Sequence, residues 1–391
     1  MTTKVTSIAG ARSAARRHVN TLEVNTRLSV LLGLGVGLLI IIGLGAMRSA
    51  SSVAGIELEG NGWAFFTRQL LAMCIGLVAM LVASRVPHNW YRKMAVPIFL
   101  VSTFGLLAVL AVGDRDYGSQ RWIDLGFTEF QPSEFAKFAT IVTLAAVMAK
   151  KERVLDDVWH FVVPVVTIVG STCLLIMLEP DLGTTLIVAG ASFAVLAASA
   201  SPVRYVVGSG LAGATGAVIL AYAADYRLAR VTAFLDPYAD ELGKGYQVLQ
   251  GLGALGTGGT LGVGLGASRT RWGWVPNAHT DFIFAIIGEE IGFAGGVMII
   301  LLYTLIAVLG LVIAFRAPDR FGRLLAVGIT VWITLQAVVN IGGVVQALPI
   351  TGMPLPFISF GGTALVMSMG AVGVLLSIAR SGVSVRKRKS R

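Results

Sequence analysis

Long apolar runs separated by short polar segments dominate the chain. A membrane-spanning helix needs about 20 predominantly apolar residues, and ten runs approach or exceed that length. They lie at residues 28–47, 69–86, 94–112, 135–149, 159–178, 182–199, 203–223, 283–315, 324–348 and 357–379. The run at 283–315 is long enough to be broken near its start, and only Glu179-Pro180-Asp181 separates the fifth run from the sixth, which predicts a tight hairpin. The pattern therefore predicts an all-α integral membrane protein with about ten transmembrane helices.

Composition supports a membrane protein. Hydrophobic residues make up 55% of the 391 residues and charged residues only 13%, whereas a water-soluble domain carries about 25% charged residues. The net charge of +10 comes largely from basic clusters at the two ends of the chain. Clusters beside membrane segments are typical orientation signals and contacts for anionic lipid. We therefore expect no nucleic-acid partner.

The distribution of Lys and Arg predicts the orientation. With ten spans, 21 of the 31 basic residues lie on the side of the termini and 8 on the other side. The positive-inside rule places both termini in the cytoplasm. We expect a cytoplasmic tail at residues 1–27, a membrane domain at 28–379 and a basic cytoplasmic tail at 380–391.

The connection between the seventh and eighth runs, residues 224–281, is far longer than a connection requires. Long loops in compact proteins are usually functional or disordered. Its aromatic residues favour short amphipathic or re-entrant helices on the outer face. The G-x-G-x-x-G pattern at Gly251–Gly256 does not indicate nucleotide binding, because that fingerprint needs a preceding strand. Here the glycines allow close backbone approach.

Asp281 is the candidate catalytic residue. It lies where the polar loop enters an apolar run, and partial desolvation of a carboxylate raises its pKa and its basicity. Such a group can take a proton from a hydroxyl. The alternative is that Thr280 or Asp281 caps the first turn of the following helix, and the two roles are compatible.

Several charged residues are candidates for contacting substrate. Arg121 can bind two phosphate oxygens at once, or it can form a local pair with Asp124 beside an interfacial Trp122. Lys137 lies just inside the fourth span and needs an anionic partner, either Glu134 or a lipid phosphate.

Two acidic residues, Glu289 and Glu290, lie in the eighth span, and His279 lies just before it. At least one of Glu289 and Glu290 should face the protein interior or a wet cavity. The alternative is a structural hydrogen bond from either carboxylate to Lys137 or Arg68. His279 is a structural or substrate-contacting residue, since the four histidines do not have the spacing of metal ligands.

The stretch Gln346–Gly362 interrupts apolar sequence with prolines and glycines. Irregular backbone at membrane depth is tolerated only inside protein or beside a water-filled cavity. We therefore expect this stretch to form a cavity wall, lined by Asn340, Gln346 and Ser359.

Five ordered motifs carry a family resemblance. They are RWIDLGFTEFQPSE (Arg121–Glu134), EPDLGTT (Glu179–Thr185), FLDP followed by GYQ (Phe234–Pro237 and Gly245–Gln247), PNAHTDFIFAIIGEE (Pro276–Glu290) and GMPLPFISFGG (Gly352–Gly362). They closely resemble the SEDS family, the FtsW, RodA and SpoVE proteins of bacteria. The segment Ser49–Gly55 is more similar to the division members, FtsW, than to the elongation members, RodA.

The resemblance implies a peptidoglycan glycosyltransferase with ten membrane helices. It implies polymerisation of lipid II at the outer face of the bacterial cytoplasmic membrane, with a class B penicillin-binding protein as partner transpeptidase. Other divisome membrane proteins and a septal location follow from the resemblance to the division members. An elongation polymerase of the RodA type is the alternative within the family. The family's essential aspartate falls on Asp281, its RWI tryptophan on Trp122 and its fourth-helix lysine on Lys137.

The expected mechanism needs one base and several cations. Asp281 would deprotonate the 4-hydroxyl of the acceptor sugar. Arg121, Lys137, Arg269 or Arg271 would stabilise the departing pyrophosphate, aided by Mg²⁺ or Mn²⁺ and with no organic cofactor. Glu289 and His279 are further substrate-binding candidates.

Two observations qualify this mechanism. Asn277 stands where the family usually has Glu, which weakens the idea of a metal-binding carboxylate there. A lipid II flippase would distribute polar residues through the membrane depth. Here they cluster at the outer face, which favours the enzyme.

Overall fold

Helices dominate the chain. The computed structural model describes residues 2–116, 119–124, 126, 129–270, 272 and 279–388. The helices of that part are α1 (Thr2–Glu59), α2 (Ala64–Arg85), α3 (His88–Lys93), α4 (Ala95–Val112), α5 (Pro132–Lys151), α6 (Val158–Pro164), α7 (Ser171–Leu178), α8 (Leu182–Ala198), α9 (Val203–Tyr222), α10 (Asp225–Leu235), α11 (Tyr246–Gly258), α12 (Ile283–Arg316), α13 (Arg320–Val344) and α14 (Gly362–Arg388). A π-helical turn at Val165–Gly170 joins α6 to α7 in one continuous span.

The predicted membrane helices are confirmed. In the described part, nine helical segments are long and apolar enough to cross a bilayer, and α8 is a tenth, shorter apolar helix. The spans are Asn25–Ser52, Ala64–Arg85, Ala95–Val112, Pro132–Val154, Val158–Leu178, Val203–Tyr222, Ile283–Arg316, Arg320–Val344 and Gly362–Ser381. The fold is therefore a multi-pass helical membrane protein.

The predicted end of the ninth span and the predicted start of the tenth were wrong. The ninth span ends at Val344, not at residue 348, and the tenth begins at Gly362, not at residue 357. Pro349, Pro354 and Pro356 lie between these helices. Proline has no backbone N–H for the helical ladder, so the apolar residues around the prolines do not extend either helix.

Helix α12 is broken near its start, as the sequence predicted. Gly292 has φ 78° and ψ −168°, far outside the helical region. The break frees the carbonyls of Glu289 and Glu290, which accept hydrogen bonds from the backbone N–H groups of Val263 (3.0 Å) and Gly264 (3.1 Å). Neighbouring donors freed by the break are also satisfied, since Phe293 N–H donates to the carbonyl of Gly259 at 2.9 Å and Ala294 N–H to that of Thr260 at 3.2 Å.

This backbone hydrogen bonding between residues 259–264 and α12 explains some of the glycines after α11 begins. A Cβ on Gly258 would collide with the backbone of α12 at Gly288 and Glu289, so only glycine permits the approach. The predicted close backbone approach of the glycine-rich segment is confirmed. The segment after α11 and the first turns of α12 therefore form one hydrogen-bonded unit.

Burial divides the bundle into a centre and a periphery. Helices α5, α13 and α14 are mostly buried, and α13 packs against α5, α8 and α12. Helix α9 has no buried residues. Side chains on the exposed apolar faces would contact lipid acyl chains in a bilayer.

The loops at one end of the bundle contain regular structure. The connection from α4 to α5 holds strands β1 (Asp114–Asp116), β2 (Ser119–Asp124) and β3 (Glu129–Phe130) in an antiparallel sheet of order β1-β2-β3. The hydrophobic pattern did not predict these strands. The 224–281 connection contains α10, a 3₁₀ turn at Pro237–Asp240 and α11, which confirms the expected short helices. We call this end of the bundle the loop end.

Candidate functional site

The irregular segment between α13 and α14, residues 345–361, lies at the loop end. Five of its backbone carbonyls accept hydrogen bonds from side chains of α2, α10, α12 and α13. These bonds are Arg230 to Thr351 O, Asn340 to Met353 O, Gln336 to Pro354 O, Tyr303 to Pro356 O and Gln69 to Ser359 O. Buried backbone groups need such partners because an unpaired one costs free energy. These bonds hold the segment in place. We call it the wall, and the cavity that it was expected to line stays a prediction.

Two of the three residues expected to line a cavity there tie the wall to other elements. Asn340 Nδ2 also donates to the carbonyl of Asp281 at 2.9 Å. Gln346 Nε2 donates to the carbonyl of Phe234 at 3.1 Å. Ser359 Oγ accepts from Leu355 N–H at 2.8 Å and stabilises the segment internally.

Asp281 lies beside this wall, just before α12. Besides the bond from Asn340 to its carbonyl, its Oδ1 accepts a hydrogen bond from Thr280 Oγ1 at 3.0 Å. Burial raises the pKa of the Asp281 carboxyl above its usual value, and Thr280 and Arg230 partly oppose that effect. The helix-cap hypothesis is wrong: the N-cap residue of α12 is Phe282, without a side-chain cap bond.

Arg230, on α10, is the residue at this site that sequence reasoning missed. Its Nη1 donates to the carbonyl of Thr351 at 2.8 Å. A Cβ on the adjacent Gly352 would lie 3.5 Å from Arg230 Nη2 and 3.8 Å from Asp281 Oδ2. Guanidinium and carboxylate thus face each other across Gly352. No spacing in the sequence connects Arg230 with Asp281, and only its place on an amphipathic helix of the 224–281 connection could have suggested it.

His279 is packed between aromatic rings. Its ring centroid lies 5.0 Å from that of Phe65 and 5.9 Å from that of Phe360. Its carbonyl accepts the backbone N–H of Phe360 at 3.0 Å. Burial lowers the pKa of the imidazole, so the ring is neutral at pH 7. These contacts fix the loop that leads into Asp281.

Lys137 is buried in the bundle. Its Nζ donates to Glu134 Oε1 at 2.7 Å and to Gln336 Oε1 at 2.9 Å, and the residue is 1% exposed. Glu134, one of the two partners expected from the sequence, is therefore confirmed. Gln336 Nε2 donates to the Pro354 carbonyl at 2.9 Å, so the ion pair is connected to the wall.

Arg121 supports the turn between α7 and α8. Its Nε donates to the carbonyl of Glu179 at 3.0 Å and its Nη2 to that of Pro180. The proposed pair with Asp124 is wrong, because Asp124 Oδ1 instead accepts the N–H of Gly126 at 2.7 Å. Trp122 is half-buried beside Arg121 on β2.

Glu289 anchors the loop that carries Arg269. Its carboxylate accepts hydrogen bonds from Ser268 Oγ (2.5 Å) and from the backbone N–H groups of Arg269 (3.0 Å) and Thr270 (3.3 Å). The Arg269 residue is exposed.

Glu290 accepts a hydrogen bond from Ser49 on α1. The alternative that Glu289 or Glu290 bonds to Lys137 is wrong, since Lys137 is bonded to Glu134 and Gln336. Arg271 and Asn277 lie outside the described residues.

The turn Glu179-Pro180-Asp181 is tight, as predicted, and Asp181 caps α8. Its Oδ1 accepts Thr184 N–H at 3.0 Å. Glu179 is 0% exposed, and its two carboxyl oxygens have no hydrogen-bond partner in the described part of the chain. Desolvation and the nearby Asp181 carboxylate raise the pKa of Glu179 to about 9, although Arg121 opposes the shift. The carboxyl is therefore protonated at pH 7.

We expect Glu179→Gln to stabilise the protein at alkaline pH. The ordinary pKa of 4.5 applies in the unfolded chain and about 9 in the folded one. Between these values folding takes up a proton, so the free energy of unfolding falls as pH rises. Gln removes this dependence. Melting temperatures in detergent should match near pH 4.5, and the variant should melt higher at pH 8. Equal melting temperatures at pH 8 would contradict the burial of an uncompensated carboxyl.

The described residues contain no metal site built from protein ligands alone. Among them, no group of three His, Cys, Asp or Glu side chains could hold a metal ion together. The charged neighbour of Asp281 is the guanidinium of Arg230. What the site offers is a carboxylate of raised basicity, fixed by its main chain and faced by a cation.

Comparisons with known proteins agree on one family. The family model for FtsW, RodA and SpoVE, described as a cell cycle protein, matches residues 30–383. The stage V sporulation protein E of Bacillus subtilis (strain 168) is 40% identical over 345 residues, which cover 88% of this chain and 94% of that protein. A probable peptidoglycan glycosyltransferase FtsW of Geobacter sp. (strain M18) is 38% identical over 338 residues, covering 86% and 92%.

A solved structure is also similar. A chain of a peptidoglycan synthase complex, studied for how it coordinates polymerization and crosslinking, has a TM-score of 0.74 and 28% identity. The match covers 90% of this chain and 97% of that chain.

Proposed function

The chain belongs to the FtsW, RodA and SpoVE family of cell cycle proteins, and from that premise we propose that it is a peptidoglycan glycosyltransferase. Its substrate is lipid II, which it polymerises into glycan strands, with a septal role in cell division. The observation that carries the proposal is the placement of Asp281: a largely buried carboxylate, bonded through its main chain to Asn340, at the loop end of a multi-pass bundle.

Asp281 acts as the general base. Its carboxylate accepts the proton of the acceptor sugar's 4-hydroxyl as that oxygen bonds to the anomeric carbon of the donor. The bond from the anomeric carbon to the pyrophosphate oxygen breaks, and the lipid pyrophosphate leaves with the electron pair. Desolvation makes the carboxylate a stronger base than it would be in water. The hydrogen bond from Asn340 to the Asp281 carbonyl (2.9 Å) fixes the main-chain position of the base.

Cations at the loop end serve the leaving group. We assign this role to Arg121, whose turn-supporting bonds fix its orientation, and to the exposed Arg269, whose backbone Glu289 holds. Arg271 has the same assignment from its position in the sequence. Lys137 lies within the bundle and contributes indirectly, because it holds Gln336, which in turn holds the wall at Pro354. Mg²⁺ or Mn²⁺ enters this proposal only with the pyrophosphate, because Mg²⁺ commonly binds substrate phosphates and keeps several waters.

The partner is a transpeptidase. The similarity to a chain of a peptidoglycan synthase complex supports such an assembly. We assign the partner to the class B penicillin-binding proteins, within a set of divisome membrane proteins at the septum. Both termini are assigned to the cytoplasm from the distribution of Lys and Arg.

The test is reconstitution with a purified partner in liposomes that carry fluorescent lipid II. We expect labelled polymer on a gel when the partner is a transpeptidase-inactive class B protein. A second readout follows transfer of lipid II between leaflets by dithionite quenching. Transfer of lipid II without polymer would indicate a flippase and not a polymerase. If the complex co-purifies but shows neither polymerisation nor transfer, the chain would be a scaffold.

A further inference from the structure

We propose that Arg230 is the positioning residue of the base: its guanidinium favours the ionised form of Asp281 and fixes the backbone against which Asp281 lies. The inference rests on the proposed function, since it assigns a role to a second residue of the same site. Three features support it: the geometry at Gly352, the other groups around Asp281 and the way α10 is held.

Gly352 lies between the two charges. It has φ 74°, a conformation that favours glycine. An atom one bond beyond its Cα would be 3.5 Å and 3.6 Å from the two terminal nitrogens of Arg230 and 3.8 Å from Asp281 Oδ2. These are ordinary contact distances, so one substrate atom at that point could touch both groups. A side chain at position 352 would occupy the point.

The other groups that face Asp281 are uncharged. On its own loop the Thr280 hydroxyl donates to the carboxylate, and the His279 imidazole two residues earlier has its pKa lowered by burial. From α13 the neighbour is the amide of Asn340. Within the described part of the chain, the charge that acts on the carboxylate comes from Arg230. Without it, hydrogen bonds alone would oppose the desolvation of the carboxylate among the described residues.

Helix α10 is held so that Arg230 has a defined place. Tyr226 Oη donates to the Pro180 carbonyl at 3.0 Å, and Arg227 Nη1 donates to the Leu220 carbonyl at 3.0 Å. Near the other end of the helix, the Phe234 carbonyl accepts from Gln346 at 3.1 Å. Arg230 itself is exposed, so its replacement should leave the core packing unchanged. Its bond to the Thr351 carbonyl fixes the residue that precedes Gly352.

The test compares the pH dependence of polymerisation for Arg230→Gln, Arg230→Lys and a control, Lys244→Gln. Lys244 is an exposed cation of the same 224–281 connection. Activity requires ionised Asp281, so it rises with pH through the pKa of that group. An opposite charge nearby lowers a carboxyl pKa by about 1–3 units, and exposure to solvent reduces that effect. We expect Arg230→Gln to move the acid limb of kcat/KM up by about one pH unit, so that the loss is about tenfold at low pH and small at high pH.

The two other variants separate charge from structure. Arg230→Lys should keep the limb of the unmodified enzyme, because the charge remains, and Lys244→Gln should match the unmodified enzyme throughout. An unshifted limb in Arg230→Gln, or an equal loss at every pH, would overturn the role in ionisation. Failure of the proposed function gives a different pattern: no polymer from the unmodified complex at any pH, or full activity of Asp281→Asn.

Discussion

Replacing Asp281 with Asn should lower the rate of polymerisation by at least about 100-fold and leave the fold intact. A positioned general base contributes about 10²–10⁴-fold to a rate, and an amide cannot accept the proton. Asn has nearly the same shape as Asp, and the bond from Asn340 reaches the main-chain carbonyl, which the substitution retains. The measurement is the initial rate of polymer formation by the complex from labelled lipid II.

The matched control for this variant is Asp240→Asn. Asp240 lies exposed in the same 224–281 connection and caps a turn by accepting Lys244 N–H at 3.0 Å. Asn caps about as well as Asp, so we expect unchanged activity. Both variants should elute with the partner transpeptidase on size exclusion. Undiminished polymerisation by Asp281→Asn, with the partner bound, would exclude Asp281 as the base.

The apolar runs predicted the bundle well because lipid leaves few options. A segment in hydrocarbon must satisfy its backbone internally, so a run of sufficient length becomes a helix. The break in α12 was also predictable from the length of the run at 283–315. Its hydrogen-bond exchange with Gly259–Gly264 was not, because it depends on which segment approaches the break.

The wall shows where sequence reasoning ends. Prolines and glycines predicted that 346–362 is irregular and lines a cavity. The irregular backbone is confirmed for 346–361, and the cavity stays a prediction. Three of the wall's five side-chain donors, Gln69, Arg230 and Tyr303, come from helices distant in the chain, and two come from α13, which directly precedes it. Such long-range pairs leave no periodicity in a single sequence. Asp281 was predicted from the apolar boundary beside it together with the family motif, whereas Arg230 is recognisable only once the fold brings it to Gly352.

The ion pair of Lys137 and Glu134 leads to the second large expected effect. Lys137→Met should destabilise the protein by about 3–5 kcal/mol, the usual result of removing one partner of a buried pair. Glu134 is 2% exposed and its Oε2 has no hydrogen-bond partner among the described residues. Without the ammonium its carboxylate would remain buried without compensation. A thermal melt in detergent should show a large drop in the melting temperature.

Two further variants make the result specific. Lys150→Met changes an exposed lysine near the end of the same helix α5 and should leave the melting temperature nearly unchanged. The double variant Glu134→Gln, Lys137→Met removes both charges and should recover most of the stability, because replacing a whole buried pair by neutral groups is often neutral. A double variant as unstable as Lys137→Met would show that the loss comes from packing or from the Gln336 bond, not from an unpaired charge. With its stability recovered, the double variant's polymerisation rate measures what the pair of Lys137 and Glu134 contributes to the reaction.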